Sequence, residues 1–220
     1  MESIQKSILD FLKQLKVNNN RDWFLQNKPS YLAAKKNFEA FTQELIDRIV
    51  KFEPVLKGLE ASSCTYRINR DIRFTNDKSP YKSHFGAFIV KGGKQNGDKY
   101  AGYYFHVEPG NSLIAGGAYM PPAPWLAAIR EKIDEEGDSL LKIIGSKDFK
   151  STFGSIEGEK LKTAPKGFPK DHPHIDLLRM KSFLVERSVS DNEVLSEECL
   201  DMVVRAAKTM KPFNDFMNEL

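Results

Sequence analysis

At 220 residues, with 40% hydrophobic, 29% charged and 11% aromatic side chains, the chain has the composition of a globular protein and not of a disordered or fibrous one. That length buries roughly 70% of the unfolded surface, enough for one substantial core. A formal net charge of +3, from 33 basic and 30 acidic groups, excludes wholesale attraction to nucleic acid or an anionic membrane and leaves a local patch as the route to either.

Ile4, Ile8, Phe11, Leu12 and Leu15 recur at helical spacing and predict an amphipathic helix over residues 3–16. Its Lys and Gln interruptions rule out a signal-peptide core, and no run reaches the roughly 18 apolar residues of a membrane span, so a cytoplasmic protein without membrane contact is expected. Asn18, Asn19 and Asn20 stop the helix and supply N-cap chemistry for a short turn through Arg21, Asp22, Trp23 and Phe24. Pro29 suits the first turn of a longer helix, residues 29–52, whose stripe Tyr31, Ala34, Phe38, Phe41, Leu45 and Ile49 reads as core.

Beyond Pro54 and Gly58 the period changes from 3.6 to 2. Residues 63–74 read as a strand or as a strand running into an extended loop; extended throughout, they set Tyr66, Ile68, Arg70, Ile72 and Phe74 on one face and Arg67, Asn69, Asp71 and Arg73 on the other. Residues 75–80 read as a loop, because Pro80 turns Ser79 away from helix. A strand over 85–90, one over 100–108 and one over 112–119 complete a meander, with Tyr104, His106 and Glu108 on one face of the middle strand and Tyr103, Phe105 and Val107 on the other. Gly116 and Gly117 signal a bulge or a close approach of backbone. A helix from Pro124 through Ile133, a short helix around Leu140–Ile144 and an irregular excursion over 146–175 follow. A strand over 183–189, a turn capped by Ser190, a helix near 194–210 and a last helix opened by Pro212 end the chain. The prediction is a single α+β domain over 1–220: N-terminal helices, a central antiparallel meander, C-terminal helices. Cys64 and Cys199 match no metal spacing and read as reduced, buried thiols, their pairing left open.

Chemistry concentrates in residues 67–84, RINRDIRFTNDKSPYKSH, where five basic against two acidic side chains leave an excess of three, the excess of the whole chain. A guanidinium presents a planar fork that holds phosphate or carboxylate bidentately, so Arg67, Asn69, Arg70, Arg73, Lys78, Lys82 and His84 form a candidate anion-binding set, to which Arg21, Lys28, Asp71 and Tyr104 are possible additions. The competing reading is a structural network in which Asp71 and Asp77 pair with the arginines. His106 and Glu108, two apart on a strand, suit an acid and base, two ligands of a metal, or a plain hydrogen-bonded pair. They are the candidate catalytic residues, and no residue is assigned to a metal. Asp171, His172, His174 and Asp176 surround Pro173 without a recognised metal spacing and read as caps or solvated groups. No Walker loop, Rossmann glycine pattern or HExxH occurs, so nothing demands a nucleotide cofactor and the cofactor stays unknown.

NNNRDWFLQNKPSY near the start, RINRDIRFTNDKSPYKSHFGAF in the middle, AGYYFHVEPGNSLIAGGAY after it and FPKDHPHIDLLRMKSF later occur together in one order. The chain thereby resembles, over nearly its whole length, the family catalogued as domain of unknown function 2461 (DUF2461). The resemblance implies a single-domain protein of bacterial type and supplies no catalytic residues. The functional expectation therefore rests on the residues: a site for a small anion, phosphate or carboxylate, on the polar face of the sheet, with proton transfer by His106 and Glu108. The alternative is a non-catalytic nucleic-acid or protein binding module using the same basic stretch. Whether the chain is an enzyme, and its oligomeric state, stay open.

Overall fold

The computed structural model describes residues 2–73 and 76–220; Met1, Phe74 and Thr75, and with them the predicted facing of Phe74 and the first residue of the 75–80 loop, lie outside the described residues. The architecture is α+β, with helices first, a four-stranded antiparallel sheet in the middle and helices last. Helix α1 (Lys6–Val17) buries Ile8, Leu9, Phe11, Leu12 and Leu15. Helix α2 (Arg21–Gln26) is capped by the Asn20 side chain, which accepts from the Trp23 amide at 3.0 Å. Helix α3 (Lys28–Ile49) carries Pro29 in its first turn and buries the predicted stripe from Ala34 to Ile49.

A one-turn helix, α4 (Ala61–Cys64), leads into the sheet. Strands β1 (Phe85–Ile89), β2 (Gly102–Val107), β3 (Ser112–Ala118) and β4 (Phe183–Val189) pair in sequence order, each antiparallel to the next. The register sets Phe85 opposite Val107, Gly86 opposite His106 and Phe88 opposite Tyr104. Paired residues share a face, so one face carries Phe85, Ala87, Tyr103, Phe105, Ile114 and Val185 into the core. There Phe38 lies 5.5 Å from Phe85 and Phe41 5.4 Å from Phe105, centroid to centroid. The opposite face carries Tyr104, His106, Leu113, Ala115, Leu184 and Glu186.

After β3 come α5 (Ala123–Gly145), α6 (Lys147–Phe153) and α7 (Ile175–Leu178); β4 is followed by α8 (Asp191–Leu195) and α9 (Cys199–Asn218). The two helices predicted over 124–144 are one helix kinked at Glu136, where φ is −125° and ψ 23°; at the next residue, Gly137, the His174 ring fills the space a Cβ would need. The helices predicted on either side of Pro212 are also one, because burial of Met210, Phe213, Phe216 and Met217 outweighs the roughly 3 kcal/mol that an interior proline costs. The excursion at 146–175 opens with α6 and then runs along β4, with Glu157 opposite Leu184, which covers the edge of the sheet. Cys64 and Cys199 are both free and buried. Burial pushes the Cys199 thiol up to about 12. Among the described residues no helix is long and apolar enough to cross a membrane.

Over the described residues 63–73 no regular strand forms, neither as a whole nor as the start of an extended loop. After α4 the chain is extended but irregular, joined to its neighbours by the isolated bridges of Thr65 to Ala87 and Asn69 to Tyr81. Short polar side chains capture the backbone locally: Asp71 accepts from the Arg73 amide and Asp77 from the Ser79 amide, bonds that compete with a ladder. The predicted common face of Arg67, Asn69, Asp71 and Arg73 is therefore not built.

Candidate functional site

The site begins where β1 is held down. The Asn19 side chain donates to the Tyr81 carbonyl at 2.9 Å and accepts from the Tyr81 amide at 3.1 Å. Phe24 of α2 stacks on the Tyr81 ring with centroids 4.0 Å apart. These contacts fix residues 82–84 at the entry to β1. One step outside the Phe85 to Val107 pair, His84 then falls opposite Glu108, while His106 lies opposite Gly86, which has no side chain to separate them.

On this face the side chains form one hydrogen-bonded chain. Tyr104 Oη lies 3.0 Å from His106 Nδ1, and His106 Nε2 lies 3.3 Å from Glu108 Oε2. Ser83 Oγ donates to Glu108 Oε1 at 2.5 Å, and Asn111 Nδ2 to Glu108 Oε2 at 3.1 Å. The His84 and His106 rings lie 4.2 Å apart. Together His84, His106 and Glu108 offer three ligand-type atoms, all within 4.8 Å of one another.

Burial and hydrogen bonding set the charges. Burial pushes His84 down to about 4, with His106 and then the charges of Lys82 and Arg70 adding to it and Glu108 opposing it. Burial also holds His106 below the usual imidazole value, although Glu108 draws it up. For Glu108, burial favours the acid, but donors from Ser83, Asn111 and His106 prevail and keep the carboxyl below its ordinary value. At neutral pH the cluster is two neutral imidazoles and one carboxylate. Burial, with Tyr66 and Glu108 nearby, raises the Tyr104 hydroxyl far above its ordinary value, so it stays protonated.

Two hollows meet at His84; Glu108 lines the smaller, and the buried His106 behind them lines neither. One, of about 800 Å³, is lined by Tyr66, Phe88, Tyr104, Leu113, Tyr119, Met120 and Glu186, among others. The second, of about 640 Å³, is lined by Lys16, Asn19, Arg70, Asp71, Asp77, Ser83 and Glu108 among its residues. Lys82 and His84 line both. Lys82 Nζ donates to the Arg67 carbonyl at 3.0 Å and sits 5.3 Å from the Tyr66 ring centroid. Burial and the nearby Arg67 charge lower its pKa.

Of the residues singled out in the sequence, the structure brings together Tyr104, His106, Glu108, His84 and Lys82, with Arg70 and Asp71 on the wall of the smaller hollow. Arg70 forms an ion pair with Asp77. Arg73 holds Asp71 through two bonds, from Nε at 2.9 Å and Nη2 at 2.6 Å, on an exposed tip. Hydrogen bonds and the arginines lower both carboxyls: Asp77 through Ser79 and Arg70, Asp71 through Arg73. Lys78 donates to the Ile72 carbonyl at 2.9 Å, and exposed Asn69 bridges to Tyr81. Arg67 is exposed and contributes its carbonyl to Lys82. Exposed Arg21 and Lys28 line neither hollow; Lys16 and Asn19 reach the site from that end of the chain instead. His172 and His174 lie elsewhere, pinned to α5 through Asp134 at 2.8 Å and Asp138 at 3.5 Å.

Sequence reasoning missed Ser83 and Asn111 as anchors of Glu108. It also placed His84 beside cations and not beside His106. Period 2 already puts His84, Gly86 and Phe88 on one face; the missing information was the register between β1 and β2.

Fold and site define an α+β protein whose helix-backed antiparallel sheet presents a His, His, Glu cluster on its open face. The chain belongs to the family described as conserved hypothetical protein (DUF2461), which matches residues 7–216. No curated protein and no solved structure matches it.

Proposed function

We propose that the open face of the sheet binds a small organic anion, a phosphate or carboxylate, with His106 and Glu108 as the reactive pair. The observation that carries this reading is Lys82. It is half-buried at the lip shared by both hollows, beside His84, and no carboxylate among the described residues pairs with it. A cation whose charge is already penalised by burial gains most from an anion brought to it. The larger hollow supplies aromatic and apolar wall for the ligand's body, from Tyr66, Phe88, Tyr119 and Met120, while the anionic head meets Lys82 at the rim.

The alternative, a nucleic-acid or protein binding module on the same basic stretch, has less to draw on, because Arg70 and Arg73 are held by Asp77 and Asp71. Calorimetric titration with inorganic phosphate and with a small aryl phosphate tests the reading. The wild type should bind both, the aryl compound more tightly, and Lys82→Ala should weaken binding by about tenfold or more, the worth of a charge-assisted hydrogen bond. Its melting temperature should stay close to that of the wild type. Unchanged affinity in Lys82→Ala would remove the anion site, and salt-sensitive binding of oligonucleotides in its place would favour the alternative.

A further inference from the structure

We propose that His84, His106 and Glu108 together hold one divalent first-row transition-metal ion, and that the anion of the preceding reading completes its coordination. This deepens that reading and rests on it for the anion alone; the metal site stands on its own geometry. The three side chains come from adjoining strand ends and point to one face because of the β1–β2 register. Their ligand atoms already lie within 4.8 Å of one another. Metal bonds of about 2.1 Å put ligand atoms roughly 3–3.5 Å apart, so closure needs side-chain movements on the order of 1 Å and no shift of the strands.

The donor set fits such an ion. Two imidazoles and a carboxylate suit zinc, iron, cobalt or manganese, and three protein ligands leave positions open for water or substrate. Those positions face the hollows, since His84 lines both and Glu108 the smaller. The surrounding bonds are of the kind that orient metal ligands. Tyr104 Oη sits on the far nitrogen of His106 at 3.0 Å, and Ser83 Oγ anchors Glu108 Oε1 at 2.5 Å, leaving Oε2 toward His106. Coordination through His106 Nε2 places the imidazole proton on Nδ1, where the hydroxyl oxygen of Tyr104 accepts it. Without the ion the same hydroxyl donates to Nδ1 while Nε2–H serves Glu108. His106 and Glu108 would then act as ligands, and a bound water or the substrate oxygen would be the group activated.

The test uses the full chain, stripped with a chelator and titrated with Co²⁺ and then Zn²⁺. One equivalent of Co²⁺ should give visible d–d absorption, which Zn²⁺ bleaches. His84→Ala and Glu108→Gln should weaken uptake by at least about 100-fold, and Tyr104→Phe by about 10–100-fold. His172→Ala, on the far cluster, should match the wild type. X-ray absorption of the wild-type Co²⁺ complex should show two imidazoles, a readout independent of whether any variant folds. No stoichiometric uptake by the wild type, or a shell without imidazole, overturns the metal site. Inorganic phosphate is titrated into the stripped and the metal-loaded protein in parallel. Phosphate binding with no metal uptake sinks this inference and leaves the anion pocket standing; metal uptake with no phosphate binding in either form supports the metal site, overturns the anion's part in its coordination and removes the anion reading.

Discussion

Gly86 is the residue on which the cluster's geometry turns. A Cβ there would stand 2.7 Å from Tyr104 Oη, the atom that meets His106 Nδ1. Gly86→Ala is therefore expected to push the Tyr104 ring aside and break that bond. In a double-mutant cycle on ligand affinity, Gly86→Ala and Tyr104→Phe should be strongly non-additive, because each removes the same contact; additive losses would separate them. The two imidazoles also give the ligand-free protein a pH signature. His84 titrates near 4 in the folded state and near 6.5 when unfolded, and His106 is depressed too. Below about 6.5 the unfolded chain takes up protons that the folded chain refuses, so stability is full above that value and is lost as pH falls through the folded value near 4. Urea unfolding at pH 7.5, 6, 5 and 4.5 should show this decline, and His84→Asn should flatten it. A slope unchanged in His84→Asn would place the titrating groups elsewhere.

At the scale of elements, β3 and α9 meet without side-chain clearance. Gly116 faces Met210, and a Cβ there would collide with the Met210 sulfur and the Gly102 carbonyl oxygen, which cannot rotate away. Gly116→Ala should destabilise the fold by about 1–3 kcal/mol, as overpacked cores do. Ser190 and Glu193 form a capping box at the start of α8, so Ser190→Ala should cost about 1 kcal/mol. Chemical denaturation checks both; a neutral Gly116→Ala would mean the two elements separate easily. These elements were readable from the sequence because their signals are strong: the stripe of α3, the Ser190 cap, and the alternation of β2 that separates Phe105 from His106. The irregular course of residues 63–73 was not, because the polar positions that alternate there with apolar ones are tied up locally, Arg73 with Asp71 and Arg70 with Asp77, and not in a ladder. Nor was the unbroken course of α9 past Pro212, since burial that outweighs a proline is a property of the assembled core.

Over the whole molecule, the helices α3 and α9 pack against one face of the sheet, with α1 behind α3, and the opposite face stays open, with Tyr104, His84 and Glu186 among the residues of its hollow. Of the five basic side chains of residues 67–84, Arg70 and Arg73 are paired with the loop's own carboxylates, and of the three that make up the excess, Arg67, Lys78 and Lys82, it is Lys82 that lines the shared rim of the hollows. His106 and Glu108 were legible as a pair from their spacing, whereas His84 joins them only through the β1–β2 register, a long-range fact that no local pattern carries. Both proposals focus ligand binding on this rim, and that focus can be tested. Histidine side-chain NMR during a titration with inorganic phosphate, in the metal-free and the metal-loaded protein, tests it most directly, because the chain has four histidines and two of them, His172 and His174, serve as internal controls. Binding at the rim should give saturable shifts of His84 and His106 with His172 and His174 unmoved. Saturable shifts confined to His172 and His174, or no saturable shift of His84 and His106 in either form, would contradict it.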